Sequence, residues 1–135
     1  MFELIIQTDF AAAHRLRGYK GACEKLHGHN WKLDVVLQSD RLNELGMVVD
    51  FQEVKVALKD ILAEFDHSFL NDLARFKTVN PTTENIAKAV AQELAKRLPR
   101  GVRVKSVTSW ESDRCGATYT CASPRRPRRE RRTRR

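Results

Sequence analysis

The sequence has few of the features that mark membrane-spanning and secreted proteins. No apolar stretch in its 135 residues approaches the roughly 20 residues that a membrane-spanning helix needs. The first residues, MFELIIQTDF, carry an acid at position 3 and no basic lead-in, unlike a secretory signal. The cysteines are odd in number and irregularly spaced, so we expect no disulfide framework. These absences predict a cytoplasmic protein with reduced thiols at Cys23, Cys115 and Cys121.

Positive charge is concentrated at one end of the chain. Of the formal net charge of +8, residues 122–135 (ASPRRPRRERRTRR) contribute +7 through eight arginines and one glutamate. The rest of the chain is nearly neutral and long enough for one modest core. A like-charge run with two prolines and no large apolar residue cannot bury a core. We therefore predict a folded domain over 1–121 and a disordered tail over 122–135, which is either simply solvated or an arm that contacts nucleic acid.

Hydropathy periodicity predicts six elements of secondary structure. Alternation of apolar and polar residues indicates four strands, over 2–10, 29–38, 102–110 and 116–121. Helical spacing predicts one helix that begins after Asp50 and a second that is capped by Thr82 or Thr83. Gly46 is the predicted turn residue before the first helix. The apolar stripes expected to be core are Phe51, Val54, Leu58, Ile61, Leu62 and Phe65 in the first helix and Ile86, Val90, Leu94 and Leu98 in the second.

The order strand, strand, helix, helix, strand, strand indicates an α+β domain. We expect a four-stranded antiparallel sheet made of two hairpins, with the helix pair on one of its faces. Such a small sheet leaves its edge strands open, and open edges favour pairing with further subunits.

Three of the four histidines could meet at the end of the first hairpin. His27 and His29 are two residues apart, so their imidazoles project from the same face of an extended segment. His14 follows the first strand and could reach them across the hairpin. Three neutral imidazoles suit Zn²⁺ and leave a fourth position open for water or substrate. The alternative is an ordinary surface pair of histidines, since a His-x-His spacing alone carries little information.

Cys23 lies four residues before His27 and has three possible roles. It could be a fourth zinc ligand, a nucleophile or base beside the metal, or an inert buried thiol. A nearby dication would favour its reactive thiolate form. Cys115 and Cys121 have no comparable neighbours, and we interpret them as structural.

Asp66 and His67 form a second candidate pair. If a carboxylate orients the ring, the imidazole becomes a proton-transfer group near neutral pH. The alternative is a loop histidine beside a helix-capping acid. Glu111, in the string WESD, could hydrogen-bond the guanidine-like edge of a heterocycle or be a surface acid.

Six strings in the chain resemble the 6-pyruvoyltetrahydropterin synthase/6-carboxytetrahydropterin synthase family. The likeness extends from about Phe2 to Tyr119 and excludes the arginine-rich tail. It implies the T-fold, in which the sheets of several subunits close into a barrel and active sites lie at subunit interfaces. The matching strings are AAAHRL (11–16), CEKLHGHNW (23–31), GMVVDF (46–51), DHSFLND (66–72), NPTTENIA (80–87) and WESDRCGATY (110–119).

The resemblance implies a metal centre and a catalytic thiol. His14, His27 and His29 match the family's three zinc ligands, with one Zn²⁺ per subunit, and Cys23 matches its catalytic thiol.

The resemblance also implies a proton-transfer pair and a pterin pocket. Asp66 and His67 match the family's proton-transfer pair, which a neighbouring subunit supplies. Glu111 matches the acid that anchors the aminopyrimidine edge of the pterin. Thr82 and Thr83 match hydroxyl residues that line the pterin pocket.

The spacing at the thiol indicates a branch of the family. Three residues separate Cys23 from His27, as in bacterial enzymes that resemble 6-carboxytetrahydropterin synthase of queuosine biosynthesis. The implied enzyme is a zinc-dependent lyase and a homo-oligomer, with a hexamer favoured. Its implied reaction converts 7,8-dihydroneopterin triphosphate to 6-carboxy-5,6,7,8-tetrahydropterin, acetaldehyde and triphosphate. Basic residues that flank the motifs are candidate ligands of the triphosphate, namely Arg15, Lys25 and Arg114.

Three other functions remain open from the sequence. One is the pyruvoyl-forming synthase of the same family, although its thiol is typically further from the histidines. A second is aldolase-like cleavage of dihydroneopterin, because another branch uses a glutamate near this position and Glu24 directly follows Cys23. The third is a non-enzymatic, zinc-containing oligomer that binds nucleic acid through the arginine-rich tail, and it predicts strongly salt-dependent binding.

Overall fold

The computed structural model describes residues 1–123. The predicted tail therefore lies outside the described residues, apart from its first two positions, and the domain boundary at 121 stays a prediction. Neither helix of the described chain has the length and apolarity that a bilayer crossing requires. The elements are β1 Phe2–His14, β2 His27–Ser39, α1 Phe51–Leu62, β3 Ser68–Phe69, α2 Thr83–Ala95, β4 Arg103–Trp110 and β5 Gly116–Thr120.

The strands form one mixed sheet in the order β3-β1-β2-β4-β5. Both predicted hairpins are present, as the antiparallel pairs β1–β2 and β4–β5, and antiparallel pairing of β2 with β4 joins them. The predicted count of four strands, all antiparallel, is wrong, because β3 adds a fifth strand parallel to β1. β3 has only two residues, too few for a hydropathy pattern. It forms where the chain after α1 meets the edge of β1, and there the backbone N–H of His67 donates to the carbonyl of Ala11 (2.6 Å).

The first hairpin is longer than its sequence pattern predicts. β1 continues through three alanines to His14, and β2 begins at His27 rather than at His29. Alanine has a low strand propensity, which hid this extension in the sequence. The ladder therefore ends on a pair formed by His14 and His27.

The core lies between one face of the sheet and the two helices. Alternate positions of β1 and β2 are buried there, as the period of a strand predicts. Each large side chain contributes about 1.5–3 kcal/mol by its removal from water. The buried apolar residues of these strands are Ile6, Phe10, Ala12, Trp31, Leu33, Val35 and Leu37.

Both helices begin at predicted caps. The Asp50 side chain accepts from the backbone N–H of Gln52 (2.8 Å), and the Thr82 side chain accepts from that of Asn85 (3.1 Å). The cap of α2 is therefore Thr82 rather than Thr83. The predicted stripes are buried with two exceptions, since Leu98 is only partly buried and Phe51, the first residue of α1, is 49% exposed. α2 packs against β4 and β5, and its N-terminus lies beside the end of β1, where the candidate site is found.

Candidate metal centre and active site

The end of the β1–β2 hairpin gathers three histidines. The register pairs His14 with His27, and His29 lies two residues further along β2 on the same face. One ligand atom from each ring lies within 4.8 Å of the other two. His14 is buried, whereas His27 and His29 are half-buried and accessible from one side. The structure thus brings together the three residues that the sequence predicts as metal ligands.

Two backbone carbonyls determine which ring nitrogens of His14 and His27 carry protons. Nδ1 of His14 donates to the carbonyl of Pro81 (2.7 Å), and Nδ1 of His27 donates to the carbonyl of Lys25 (2.7 Å). Because a neutral imidazole carries a single N–H, both Nε2 atoms then present lone pairs. These two Nε2 atoms lie only 2.9 Å apart. Two lone pairs at this distance repel each other unless a cation lies between them.

A bridging proton would also relieve this repulsion, but the surroundings oppose an added charge. Burial is the largest influence on the pKa of His14 and lowers it, against the opposing effect of the hydrogen bond to Pro81. Burial likewise lowers the pKa of His29, whose buried Nε2 has no hydrogen-bond partner within residues 1–123. Three convergent neutral imidazoles, one with an unsatisfied nitrogen, fit a divalent metal. A donor set made only of imidazole nitrogens suits Zn²⁺.

Trp31 contacts two of the three imidazole rings, a role that was not predicted from the sequence. Its ring meets His14 and His29 edge-on, with centroids 5.0 and 5.2 Å apart, and it stacks on Phe10 at 6.0 Å. These contacts restrict rotation of the imidazoles. The signal for this role was present in the string HGHNW, because position 31 shares the strand face of both histidines.

Cys23 lies on a turn that is hydrogen-bonded to the segment after His14. It is half-buried on the short 3-10 turn Ala22–Glu24, and its carbonyl accepts from the backbone N–H of Leu16 (2.8 Å). Its thiol does not belong to the group of converging ligand atoms in the described chain. The described chain therefore gives no support to Cys23 as a fourth ligand. Of the other cysteines, Cys115 is exposed, and burial raises the pKa of the Cys121 thiol.

Asp66 and His67 are in contact, which their adjacency alone does not require. Nδ1 of His67 lies 3.0 Å from Oδ1 of Asp66, and the same oxygen accepts from the backbone N–H of Ala11 (3.0 Å). The bond from Ala11 is the main cause that lowers the pKa of Asp66, and His67 adds to it. His67 has a left-handed backbone (φ 55°), which costs a residue with a side chain about 1 kcal/mol. Strain of this kind tends to occur at functional positions.

The His67 ring points into solvent rather than toward the metal-ligand candidates. Its side chain is 82% exposed. Within residues 1–123 its ring contacts Asp66, and no hydrogen bond joins it to the three clustered histidines. One subunit therefore presents an oriented imidazole on its surface, with no hydrogen bond to its own histidine cluster in the described chain.

Glu111 lies just beyond β4, near the histidine cluster. Burial is the main influence on the pKa values of His14 and His29 and lowers both. The negative charge of Glu111 raises them, so its carboxylate is close enough to influence both rings. Its Oε2 accepts from the Thr83 hydroxyl (3.2 Å). Thr83 therefore contacts the candidate pterin anchor, whereas the Thr82 oxygen caps α2.

The three candidate triphosphate ligands are all exposed side chains. Arg15 directly follows His14, Lys25 lies two residues before His27, and Arg114 lies in the turn between β4 and β5. In the part of the chain that the structure describes, none of the three forms a salt bridge. Their charges are therefore available to an anion.

Comparison with known proteins assigns the chain to a family. The family model described as 6-pyruvoyl tetrahydropterin synthase matches residues 3–122, nearly the whole described chain. The chain belongs to the 6-pyruvoyl tetrahydropterin synthase family. It is an enzyme of pterin metabolism, a lyase, and its fold is the T-fold of this family, with β3 as an added short edge strand.

Individual relatives of this 6-pyruvoyl tetrahydropterin synthase family member differ in the activity they are named for. An Archaeoglobus fulgidus protein, provisionally named 6-carboxy-5,6,7,8-tetrahydropterin synthase, is 39% identical over 80% of this chain and 86% of its own length. The dihydroneopterin monophosphate aldolase of Pyrococcus furiosus is 34% identical over 84% of this chain and 93% of its own length. Several further relatives are named 6-carboxy-5,6,7,8-tetrahydropterin synthase without qualification. Among solved structures, the 6-pyruvoyl tetrahydropterin synthase of Caenorhabditis elegans superposes with a TM-score of 0.80 at 27% identity, over 90% of this chain and 96% of that one.

Proposed function

We propose that the chain is a zinc-dependent 6-carboxy-5,6,7,8-tetrahydropterin synthase. It converts 7,8-dihydroneopterin triphosphate and one water molecule to 6-carboxy-5,6,7,8-tetrahydropterin, acetaldehyde and triphosphate, and its product feeds 7-deazaguanine compounds such as queuosine. In this proposal it works in the cytoplasm as a homo-oligomer, with a hexamer favoured.

The observation that carries the proposal is the pair of Nε2 lone pairs that His14 and His27 direct at each other, 2.9 Å apart. Such an arrangement needs a cation, and His29 adds a third nitrogen with no other partner in the described chain. The half-buried Cys23, four residues before His27 in the sequence, adds a group that can take up a proton. Several relatives with the synthase name support the choice of reaction.

In the proposed mechanism, His14, His27 and His29 hold the zinc ion. When bound, zinc supplies Lewis-acid polarisation of the hydroxyl groups on the substrate side chain. Glu111 accepts hydrogen bonds from the N–H groups of the aminopyrimidine edge, and the hydroxyl of Thr83 keeps its carboxylate in place. This anchorage fixes the ring, so that the side chain reaches the histidine cluster in one orientation.

Two groups move protons in the proposed reaction. Cys23, as a thiolate, accepts a proton from one side of the substrate side chain. His67 acts from the other side through Nε2, because its Nδ1 is held by Asp66. Each step of this kind typically contributes about 10²–10⁴ in rate.

The exposure of His67 supports a site that is shared between subunits. The His67 side chain is 82% exposed and is oriented by Asp66, so it is open to contact from another subunit. The edges of the sheet offer the means of assembly, since β5 and most of β1 have no strand on their outer side in the described chain. We propose that Asp66 and His67 complete the site of a neighbouring copy.

The deciding experiment incubates the purified protein with 7,8-dihydroneopterin triphosphate and identifies all products. We expect acetaldehyde, triphosphate and 6-carboxy-5,6,7,8-tetrahydropterin in equal amounts, and about one zinc ion per subunit. A double variant, His27→Ala with His29→Ala, is the matched control that should release none of them. Release of triphosphate without acetaldehyde would overturn the carboxy-forming reaction in favour of the pyruvoyl-forming one.

A second candidate is aldolase-like cleavage of a dihydroneopterin substrate. The Pyrococcus furiosus relative carries an aldolase name, and Glu24 offers an exposed carboxylate directly after Cys23. A retro-aldol step would release a two-carbon hydroxyaldehyde that keeps the phosphate ester of its substrate, instead of acetaldehyde and free triphosphate. Comparison of Glu24→Gln with Cys23→Ala on the monophosphate and the triphosphate tests this candidate. Aldolase activity that depends on Glu24 and not on Cys23 would replace the synthase proposal.

A further inference from the structure

Two asparagines outside the histidine cluster hold the chain that follows His14. The backbone N–H of Arg15 donates to Oδ1 of Asn71 (3.0 Å), and Nδ2 of Asn71 donates back to the Arg15 carbonyl (2.9 Å). Asn80 repeats this arrangement with Arg17, where both bonds are 3.0 Å long. Asn71 is buried and Asn80 half-buried, so these four bonds have little competition from water.

The two side-chain amides act on this segment as a neighbouring strand would. Arg15 and Arg17 are alternate residues, so in an extended chain their backbone groups point to the same edge. Leu16 points to the opposite edge, where its N–H donates to the carbonyl of Cys23 (2.8 Å). The segment 15–17 is therefore held on both sides directly after the β1–β2 ladder ends.

The same hydrogen bonds link this segment to the groups that orient the metal-ligand candidates. Asn80 directly precedes Pro81, whose carbonyl accepts from Nδ1 of His14 (2.7 Å). Pairing of Asn80 with Arg17 thus fixes where that carbonyl lies relative to the ring. The guanidinium of Arg17 adds bonds to the carbonyls of Phe76 (2.5 Å) and Val79 (2.9 Å), so the whole loop before α2 docks on this segment.

We propose that Asn71 and Asn80 are positioning residues of the metal centre. Together they set the direction in which Nε2 of His14 points and the place of the Cys23 turn before any metal binds. At each of the two positions the side chain must both donate and accept a hydrogen bond, which an amide does and an ionised carboxylate does not. This inference rests on the metal site of the proposed function.

The test measures metal affinity and metal geometry in matched variants. Metal-free wild type is compared with Asn71→Asp, Asn80→Asp and Asn80→Ala, using zinc competition with a chelator and the visible absorption of bound Co²⁺. We expect zinc affinity about 10–100-fold weaker in each variant, as for other residues that orient metal ligands. We also expect a changed Co²⁺ spectrum, because His14 no longer keeps its direction.

The matched control is Asn43→Ala at the other end of β2. The Asn43 side chain also holds a loop, since it accepts from the backbone N–H groups of Leu45 (2.9 Å) and Met47 (3.0 Å). Its loss should lower the melting temperature without any change in zinc affinity or in the Co²⁺ spectrum. This control separates a general loss of stability from a specific effect on the metal centre.

The outcomes distinguish a failure of the positioning role from a failure of the proposed metal site. If wild type binds zinc and the asparagine variants bind it equally well with an unchanged Co²⁺ spectrum, the positioning role is overturned and the proposed function stands. If wild type itself binds no zinc, the metal site of the proposed function fails and the positioning role fails with it. If Asn80→Ala does not fold, the aspartate variants decide, because they keep the shape of the side chain and one of its two bonds.

Discussion

His14 and His27 close the β1–β2 ladder as a cross-strand pair and direct their Nε2 atoms at each other across 2.9 Å. Each ring already gives its Nδ1 proton to a backbone carbonyl, so neither can donate to the other while both are neutral. The close approach of the two Nε2 atoms therefore costs free energy when nothing lies between them, and a cation between them removes this cost.

Metal removal should lower the stability of the protein. If zinc binds the assembled cluster, as proposed, and not the unfolded chain, zinc present at 100 times its dissociation constant should add about 2.7 kcal/mol to the free energy of unfolding. Thermal unfolding with and without a chelator measures this difference. In His27→Ala the zinc-dependent increase should largely disappear, and zinc content after dialysis should fall well below one ion per subunit. His67→Asn is the control with unchanged zinc content, and a His27→Ala protein that keeps its zinc would contradict the ligand assignment.

Replacement of Cys23 should abolish turnover without loss of metal. Because the thiol is not one of the converging ligand atoms in the described chain, Cys23→Ala should keep its zinc while its kcat falls by about 10²–10⁴, the range for loss of a general acid or base. Cys115→Ala, which removes an exposed thiol, should leave both quantities unchanged. Near-normal turnover by Cys23→Ala would remove the thiol from the mechanism.

Two inactive variants should restore activity when their subunits are mixed. Cys23→Ala and His67→Asn are each expected to be inactive alone, and Asn is chosen because it tolerates the left-handed backbone at this position. If Cys23 and His67 at one site come from different subunits, random co-assembly in equal amounts should rescue about one quarter of the sites. Steady-state turnover of differently tagged, co-expressed subunits measures the rescue. An absence of rescue in verified mixed oligomers would mean that both residues serve a site within one subunit.

The Asp66 carboxylate should make stability depend on pH in acid. The N–H of Ala11, and secondarily His67, lower the pKa of Asp66 in the folded protein. The contribution of the Asp66 carboxylate to the free energy of unfolding is therefore complete above the ordinary aspartate pKa of about 3.9. It is lost as the pH falls through the lower pKa of the folded state. Urea unfolding of wild type and Asp66→Asn, both free of metal, should show a difference in stability that shrinks toward low pH. A difference that stays constant over this range would contradict the role of the charged carboxylate.

Hydropathy periodicity predicted those helices and strands in which burial on one side determines where the apolar residues stand. The alternation in β2 and β4 and the apolar stripes of α1 and α2 come from packing against one core, so a single sequence is enough to show them. Gly46 is a similar case, because its φ of 80° demands a residue without a side chain. β3 could not be predicted, since its two residues pair with β1 through backbone groups alone.

The candidate site was predictable in its residues but not in its geometry. The His-x-His spacing and the resemblance indicated His14, His27 and His29. The carbonyl of Pro81 that fixes the His14 tautomer lies 67 residues further along the chain, and no local pattern reports it. The contact between Asp66 and His67 could not be predicted from their adjacency either. It accompanies a positive φ at His67, which the sequence does not reveal.

The distance along the chain between His14 and Pro81 also bears on biosynthesis. All three histidines are translated within the first 29 residues, whereas the carbonyl of Pro81 follows about 50 residues later, roughly 3–10 seconds at ordinary elongation rates. Until α2 docks, the emerging hairpin carries the histidines without the contact that holds His14 in its ligating tautomer. In the proposed zinc enzyme, metal capture should therefore be a late step that completes folding, unlike small zinc domains in which the ion starts it.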